Sequence, residues 1–261
     1  MSFLVKHAGA THRGLVREKN EDQWIAIPEL GLYVVSDGLG GEFAGALASK
    51  IVVEALPEMI RARTDVLRDL SGGKASRAIK EALAELSAQV FDQTHGQPGL
   101  EGMGATVVLA LIRQTRVLIA HMGDSRAYLL RRGRLKPLTK DHSVVQLLID
   151  AGEISQAETA SHPARGRVTR SIGMEGEPLP EVRVVVVQPG DRLLLCTDGL
   201  TGMVGVETIR SVMKQDSDPE PTCRQLIQTA LDSGGEDNVT SVVVAIAGDR
   251  ADDGGELRPK Q

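Results

Sequence analysis

The chain has 261 residues, enough for one large domain or two small ones, and a net charge of −5 at pH 7 that no basic run offsets. That balance argues against a nucleic-acid partner, because lysine and arginine supply most of the affinity for phosphate backbones. Hydrophobic residues make up 41% of the chain and aromatic residues only 2%, so we expect an aliphatic core. We find neither a signal-peptide core at the N-terminus nor an apolar run of the ~20 residues that span a membrane, and we expect a cytoplasmic protein without a membrane partner.

Hydrophobic periodicity divides the chain into strands that come in runs and helices that come in blocks. The predicted strands cover about residues 3–10, 24–27, 32–35, 105–111, 117–122, 126–131, 182–187, 192–197 and 239–244. The predicted helices cover about residues 42–63, 74–94, 144–151 and 219–232. Short turns separate the three strands between 105 and 131, so we predict an antiparallel meander there. The pattern as a whole is typical of an α+β protein with mainly antiparallel sheet.

Acidic residues follow or precede several predicted strands directly. Asp37 and Gly38 end the apolar run that begins at Leu32, Asp198 ends a second run, and Asp237 precedes the last strand. Three more carboxylates lie on other turns, namely Glu21, Asp22 and Asp124. Each aspartate taken singly is most simply a solvated turn residue, and Asp-Gly is also a common hairpin turn. Their recurrence, without histidine or cysteine beside them, favours an oxygen-only site for Mg or Mn.

Two further features accompany these carboxylates. Gly38 would leave a backbone carbonyl open for coordination, and Gly40 and Gly41 would let a substrate approach closely. Arg17, five positions before Asp22, has a planar guanidinium that suits a phosphate, although a surface arginine is the alternative. A nucleotide-binding glycine loop is excluded, because Phe43 stands where such a loop needs glycine.

These motifs together resemble the metal-dependent Ser/Thr protein phosphatases of type 2C, and specifically their compact bacterial members. The resemblance covers about residues 8–246. It rests on six motifs in the family's order, at residues 17–22, 36–41, 102–106, 123–126, 197–200 and 235–240.

The resemblance implies a four-layer α-β-β-α fold, a central sandwich of two antiparallel β-sheets flanked by helices. It implies a catalytic domain at residues 1–247, with a mobile flap at about 142–175. The polar composition of residues 248–261 predicts a disordered tail there. The resemblance also implies hydrolysis of phosphoserine and phosphothreonine in proteins by a water that bridges two divalent ions, Mn or Mg. The implied catalytic residues are Arg17, which would bind the phosphate, Asp22 and Asp37.

The resemblance assigns the metal ligands residue by residue. Asp37 would bridge two ions and the Gly38 carbonyl would complete the second, whereas Asp198 and Asp237 would hold the first. Glu21 and Asp22 would act mainly through metal-bound waters, and Asp124 would hold a weaker third ion.

Three positions depart from the family pattern. Leu39 stands where eukaryotic members carry a histidine, which leaves the acid for the leaving group open. Gly202 stands where relatives often carry an aspartate near the third ion. His12 is either a surface residue or a group near Arg17. A histidine at this position is a feature in which the chain resembles the phosphatases of bacterial type VI secretion loci.

The implied partners are phosphorylated proteins, the substrates of a cognate Ser/Thr kinase, with a secretion pathway as a weak indication and a monomeric state expected. The alternative is a catalytically weak, phosphoprotein-binding regulator on the same fold. The complete set of carboxylates argues against that alternative. Two cysteines without metal-like spacing fit a reducing compartment.

Overall fold

The computed structural model describes residues 3–41, 43–100 and 102–248, and in them two antiparallel sheets stack face to face with helices on both outer sides. The strands are β1 (Leu4–His12), β2 (Gln23–Ile27), β3 (Leu32–Ser36), β4 (Gly38–Leu39), β5 (Gly104–Ala105), β6 (Val107–Arg113), β7 (Arg116–Met122), β8 (Arg126–Arg131), β9 (Arg134–Pro137), β10 (Glu181–Val186), β11 (Arg192–Cys196) and β12 (Val239–Ala247). The helices are α1 (Ala44–Arg61), α2 (Thr64–Leu67), α3 (Gly73–Thr94), α4 (Val144–Asp150), α5 (Asp198–Thr201), α6 (Val206–Gln215) and α7 (Pro219–Asp232).

The strand order places the two chain ends of the domain in one sheet. The first sheet has the order β1-β12-β11-β8-β9, and the second has the order β10-β7-β6-β3-β2. β4 and β5 form a separate two-stranded ladder. Every pairing between named strands is antiparallel, as the sequence predicts.

Three aliphatic clusters hold the layers together. One lies between the second sheet and helices α1 and α3, one between the two sheets, and one between the first sheet and helices α6 and α7. Tyr33 and Tyr128 are the only tyrosine, tryptophan or phenylalanine residues buried in the described part of the chain. Leu83, Leu109 and Leu226 are fully buried, and each such side chain contributes roughly 2 kcal/mol of hydrophobic free energy. The predicted four-layer α-β-β-α fold is confirmed.

The predicted meander between residues 105 and 131 is wrong at its last strand. β6 and β7 pair in the second sheet, whereas β8 pairs with β11 and β9 in the first. Residues 123–125 therefore cross the sandwich instead of forming a hairpin. Gly123 has φ +110°, and a Cβ there would lie 2.6 Å from Thr106 Cβ. A short polar turn looks the same in sequence whether the next strand pairs or crosses, and here the crossing places Asp124 at one end of the sandwich.

Several elements were not predicted from the sequence. They are α2, α5, α6, β9 and the β4–β5 ladder, and residues 28–30 form a short 3-10 helix instead of a simple turn. The segment 142–175 contains α4 and a 3-10 helix at Gln156–Ser161. Its ends are tied down by single bridges, Ser143 to Val168 and Ala105 to Ile172. Its mobility stays a prediction, as does the boundary of the catalytic domain.

Two further expectations concern the tail and the membrane. The predicted tail at 248–261 lies outside the described residues, apart from Gly248. None of the described helices combines the length and the apolarity that a bilayer crossing requires.

Candidate active site

A cleft of ≈ 640 Å³ opens at the end of the sandwich where β3, β7 and β11 finish and β12 begins. Six carboxylates line it, and they come from five separate segments of the chain: Glu21, Asp37, Asp124, Asp198, Glu236 and Asp237. The structure thus brings together five of the six carboxylates that the sequence predicted for the site. Asp22, the sixth, lies beneath the cleft.

Thr106 fixes two of the loops that carry these carboxylates. Its Oγ1 accepts a hydrogen bond from the Asp37 N–H at 3.0 Å, and its own N–H donates to the Asp37 carbonyl at 2.8 Å. The same Oγ1 lies 2.7 Å from Ser125 Oγ, next to Asp124. Asp37 and Asp124 are therefore held relative to each other by one buried threonine, which the sequence placed in a motif without assigning it this role.

Gly38 has a packing role in addition to the open carbonyl that the sequence predicted. A Cβ at this position would lie 2.1 Å from the Gly45 carbonyl oxygen in the first turn of α1. Only glycine lets that helix approach so closely. The contact brings the N-terminal end of α1 beside Asp37.

Asn238 anchors the loop that carries Arg17 and Glu21. Its amide donates to the carbonyls of Arg13 at 2.9 Å and Lys19 at 2.8 Å, and its Oδ1 accepts from the Glu21 N–H at 2.8 Å. Asp237, its neighbour in the chain, is thereby placed opposite the loop. The sequence included Asn238 in a motif but gave no sign of these contacts.

Asp22 lies under the floor of the cleft and is 2% exposed. Its Oδ2 accepts hydrogen bonds from the hydroxyls of Thr240 at 2.7 Å and Thr197 at 2.9 Å. Thr197 immediately precedes Asp198, so Asp22 positions the start of α5. Its other oxygen, Oδ1, is buried and has no hydrogen-bond partner among the described residues. Burial, opposed by the two hydroxyls, raises the pKa of Asp22 to about 7.

Burial and mutual repulsion disfavour the ionised form of the carboxyl groups in the cleft. Burial is the largest cause that raises the pKa of Asp37, Asp124 and Asp198. Neighbouring carboxylates raise these pKa values further, and a hydrogen bond with Asp37 acts in the opposite direction on Asp198. Such a concentration of negative charge is stabilised when protons or cations bind. Because all the side-chain atoms that could coordinate a metal here are carboxylate oxygens, the arrangement suits hard divalent cations.

Two arginines lie in the same cleft. Arg17 Nη2 donates to Asp237 Oδ2 at 2.8 Å, and the Arg17 side chain is 56% exposed. The charge of Asp237 is the largest cause that raises the pKa of Arg17. Arg165, which comes from the segment 142–175, donates from Nη2 to the Gly202 carbonyl at 3.1 Å. Sequence reasoning missed Arg165, because one arginine in a polar segment gives no signal of where it folds.

The three unusual positions have clear locations. Leu39 and Gly202 line the cleft, so the site has no titratable side chain at either position. Gly202 has φ −77°, which an L-residue can adopt, and a Cβ there would lie 2.9 Å from Arg165 Nη2 and from the Asp198 carbonyl oxygen. His12 Nδ1 accepts from the Gly14 N–H at 3.0 Å and so stabilises a turn.

A second cluster, His121 with His142 and Glu181, lies outside the cleft and brings three possible metal ligands within 4.8 Å of one another. Its hydrogen bonds argue against a metal. His121 Nε2 lies 2.8 Å from the Lys140 carbonyl and must donate, and His142 Nδ1 accepts from the Gly123 N–H at 3.3 Å. His142 Nε2 faces Glu181 Oε1 at 3.2 Å and Arg170 Nη1 at 3.3 Å, so both ring nitrogens of His142 have partners. The two rings also stack at 4.4 Å between centroids, so their lone pairs do not converge.

The comparisons with known proteins agree with this geometry. The family model described as protein phosphatase 2C matches residues 9–240. The serine/threonine protein phosphatase PstP of Mycobacterium tuberculosis is 38% identical over 94% of this chain. The match covers 46% of that protein, so this chain spans about half the length of that curated relative.

Two solved structures are similar over almost the whole chain. The first is the catalytic domain of the serine/threonine protein phosphatase PstP in complex with two manganese ions, with 36% identity, 94% of this chain and 100% of that chain covered, and a TM-score of 0.77. The second is PppA, a regulatory component of the type VI secretion system of Pseudomonas aeruginosa. It is 33% identical, the match covers 93% of this chain and 97% of that chain, and the TM-score is 0.79.

Proposed function

The chain belongs to the protein phosphatase 2C family, and we propose that it hydrolyses phosphoserine and phosphothreonine in proteins with the help of divalent metal ions. The observation that carries the proposal is the convergence of six carboxylates from five segments in one cleft, with two arginines beside them. A structural role does not account for this set, because the burial of like charges destabilises the fold unless a cation binds.

The residues of the cleft fit two divalent ions, Mn or Mg, with a weaker third. Asp37, Asp198, Asp237 and the Gly38 carbonyl would hold the first two, and Asp124 would hold the third. Glu21 and Asp22 would support them from the loop and from below. Two observations fit a bound cation. Asp22 Oδ1 is buried without a hydrogen-bond partner among the described residues, and the pKa values of Asp37 and Asp198 are raised, which means that their negative charges are not fully compensated by positive charge. Divalent ions bound in such a site activate water for attack on phosphorus and stabilise the charge of the phosphoryl group.

The chain's own residues bind and orient the substrate. Arg17 is exposed at the cleft and already holds a carboxylate, so its planar guanidinium is placed to bind a phosphate in the same way. Arg165, on the segment 142–175, presents a second guanidinium in the same cleft. Leu39 offers no proton to the leaving oxygen, so residue 39 does not act as a general acid here.

A cysteine-based mechanism is disfavoured by the same structure. Cys196 and Cys223 are buried and do not line the cleft. Burial raises the pKa of Cys196 to about 12 and that of Cys223 to about 11, so neither thiol ionises readily near neutral pH. The proposed reaction therefore needs no covalent intermediate.

The partners follow from the proposed reaction and from the relatives' names. We expect phosphoproteins that a cognate Ser/Thr kinase supplies, in the cytoplasm, and a monomeric enzyme. The similarity to PppA supports a secretion-system pathway as one setting. The alternative function is a weak phosphoprotein-binding regulator, in which the same cleft would bind phosphorylated residues without turnover.

Turnover separates the two functions. The purified chain is supplied with Mn and tested on an aryl phosphate and on a phosphothreonine peptide, with phosphate release as the readout. The proposed function predicts turnover of both substrates that is abolished by EDTA and restored by added Mn. Tight binding of the phosphopeptide without phosphate release would instead favour the regulator.

A further inference from the structure

A basic groove of ≈ 750 Å³ lies between the edge strands β9 and β10, and it shares no lining residue with the cleft. Five of its nine lining residues are basic and none is acidic: Arg131, Arg132, Arg134, Lys136 and Arg183. The chain as a whole has more acidic than basic residues, 35 against 30. The groove is thus a local concentration of positive charge on an acidic protein, assembled from strands that belong to different sheets.

The floor of the basic groove is apolar. Leu129 and Leu138 are each 6% exposed, and Val185 packs against the cluster between the sheets. Two arginines cross from one sheet to the other above this floor. Arg131 Nη2 donates to the Val186 carbonyl at 2.7 Å, and Arg183 Nη1 donates to the Leu138 carbonyl at 3.5 Å. These contacts give the groove an apolar base with cations at its sides.

Most of these cations are available to a partner. Arg131 is the exception, because Asp191 binds it through two hydrogen bonds of 2.8 and 2.5 Å. Arg132, Arg134 and Lys136 are exposed and form no ion pair with any residue that the structure describes. Their charges are therefore not neutralised within the described part of the protein.

Two local features around these basic residues are energetically unfavourable. Arg132 has φ +49° and Gly133 has φ +75°, in a two-residue turn where asparagine or glycine is usual at the first position. Arg131 and Arg134 lie directly opposite each other in the β8–β9 ladder, and like charges in that arrangement destabilise a sheet. Edge strands do use charges to prevent aggregation, but that purpose does not require an arginine in the left-handed conformation.

We propose that the basic groove binds an acidic, extended segment of a phosphoprotein substrate, at a distance from the phosphorylated residue. This inference rests on the proposed function for the identity of the partner. Carboxylates of the segment pair with Arg132, Arg134, Lys136 and Arg183, and an apolar side chain covers Leu129 and Leu138.

The shape of the groove favours a peptide over a lipid surface. Both walls are sheet edges, whose outward N–H and C=O groups can pair with an added extended chain. β10 has six residues, so the groove matches an extended segment of roughly 20 Å. Leu129 and Leu138 are recessed between the walls and Val185 is half-buried, so Val186 is the one exposed apolar residue of the groove lining. Insertion into a membrane requires several apolar side chains that protrude together.

A continuation of the groove points toward the cleft. A smaller depression of ≈ 300 Å³ shares Leu138 and Arg183 with the basic groove and extends to His121 and Lys140. His121 lies three residues before Asp124, at the cleft end of β7. One bound polypeptide could therefore follow this surface from the groove toward the cleft.

Peptide binding tests the proposal without relying on catalysis. The probe is a fluorescein-labelled peptide of about eight residues that alternates glutamate and leucine, and binding is followed by fluorescence anisotropy. Its controls alternate glutamine or lysine with leucine. The groove variant is Arg134→Glu with Lys136→Glu. The matched control is Arg77→Glu with Lys80→Glu, which makes the same change in net charge at exposed positions of α3.

We expect the glutamate peptide alone to bind, to weaken as salt is raised, and to lose about tenfold or more in affinity with the groove variant but not with the control variant. A phosphothreonine peptide joined by a flexible linker to the same acidic segment should show a raised KM with the groove variant, while turnover of an aryl phosphate is unchanged.

Three outcomes would overturn the inference: equal binding of all the peptides, equal loss with both variants, or binding to phosphatidylserine vesicles in place of the peptide. If turnover is absent but charge-dependent peptide binding persists, the proposed function fails and the basic groove stands as an acidic-peptide site. If turnover is normal and the peptide does not bind, only the inference about the groove fails.

Discussion

At the residue scale, the site is a set of carboxylates that the protein holds close together against their mutual repulsion. The positions of Asp37 and Asp198 at strand ends could be predicted from the sequence, because apolar runs that end in Asp-Gly are visible in one dimension, and Asp237 could be placed directly before the last apolar run. The contacts of Thr106 and Asn238 could not be predicted, since each joins segments distant in the chain. The burial of Asp22 beneath the cleft could not be predicted either, since its partners Thr197 and Thr240 are also distant in the chain.

Arg17 allows a direct test of phosphate binding. Replacement by alanine should mainly raise KM for a phosphopeptide, by roughly tenfold or more, because one charge-assisted bidentate contact is lost. Arg17→Lys should recover only part of the loss, since the planar fork is absent. Steady-state kinetics on both variants provides the measurement. An unchanged KM in Arg17→Ala would show that the ion pair with Asp237 is only a surface contact.

At the element scale, the turn between β7 and β8 and the segment 142–175 determine the shape of the cleft. Composition identified both as loops, but it could not show that the first crosses between sheets. It also could not show that the second places Arg165 on the Gly202 carbonyl. The basic groove was not predicted. Four of its basic residues lie within residues 131–136, but only the fold brings Arg183 and the apolar residues of β10, from the other sheet, beside them.

The segment 142–175 should influence substrate choice through Arg165. Arg165→Ala is expected to raise KM for phosphopeptides several-fold and to change turnover of a small aryl phosphate less, because only the larger substrate extends along the segment. Parallel kinetics on the two substrates checks this, with Arg167→Ala as an exposed neighbour for control. Equal losses on both substrates would indicate that Arg165 acts on the phosphate itself or on the fold.

Gly202 offers a test of the third metal site. Because its backbone conformation is right-handed, Gly202→Asp should fold, after a small shift away from the Asp198 carbonyl. The new carboxylate should lower the Mn concentration that fills the weakest site, since it adds a ligand and a charge. Titration calorimetry is the measurement, and Gly202→Asn controls for size. If aspartate and asparagine give the same weak-site affinity, the added side chain pairs with Arg165 and does not reach the metal.

At the scale of the whole molecule, the sandwich provides stability that the cleft reduces. Three aliphatic clusters hold the layers, and their strand and helix periodicity made the four-layer fold predictable. The sheet order was not predictable, since it depends on which strands pair. The buried carboxylates lower the stability of the metal-free protein wherever they must ionise in the folded state.

The contribution of Asp22 to the stability of the metal-free protein should therefore depend on pH in a defined direction. The folded protein raises the pKa of Asp22 from 3.8 to about 7, so both states are protonated at low pH and only the unfolded chain ionises freely above pH ~4. Asp22 should therefore make the free energy of unfolding fall by a few kcal/mol between pH 4 and 7. His121 and His142 act in the opposite direction, because burial lowers their pKa values. Urea unfolding of the wild type and of Asp22→Asn in EDTA isolates the contribution of Asp22, since the histidines are common to both proteins. The variant should gain stability relative to the wild type as the pH rises, and an equal pH dependence of the two proteins would contradict the description of the site.

The proposed reaction requires that the carboxylate cluster bind the divalent ions on which hydrolysis depends. The most direct measurement is calorimetric titration of the metal-free protein with Mn, alongside turnover of a phosphothreonine peptide, for the wild type and for Asp37→Asn. The wild type should bind at least two ions. The variant should lose at least one and be slower by about a hundredfold or more, while its melting temperature in EDTA is unchanged or higher because a buried charge is gone. Wild-type Mn binding and turnover in a folded Asp37→Asn protein would show that Asp37 is not a metal ligand and that hydrolysis does not depend on it.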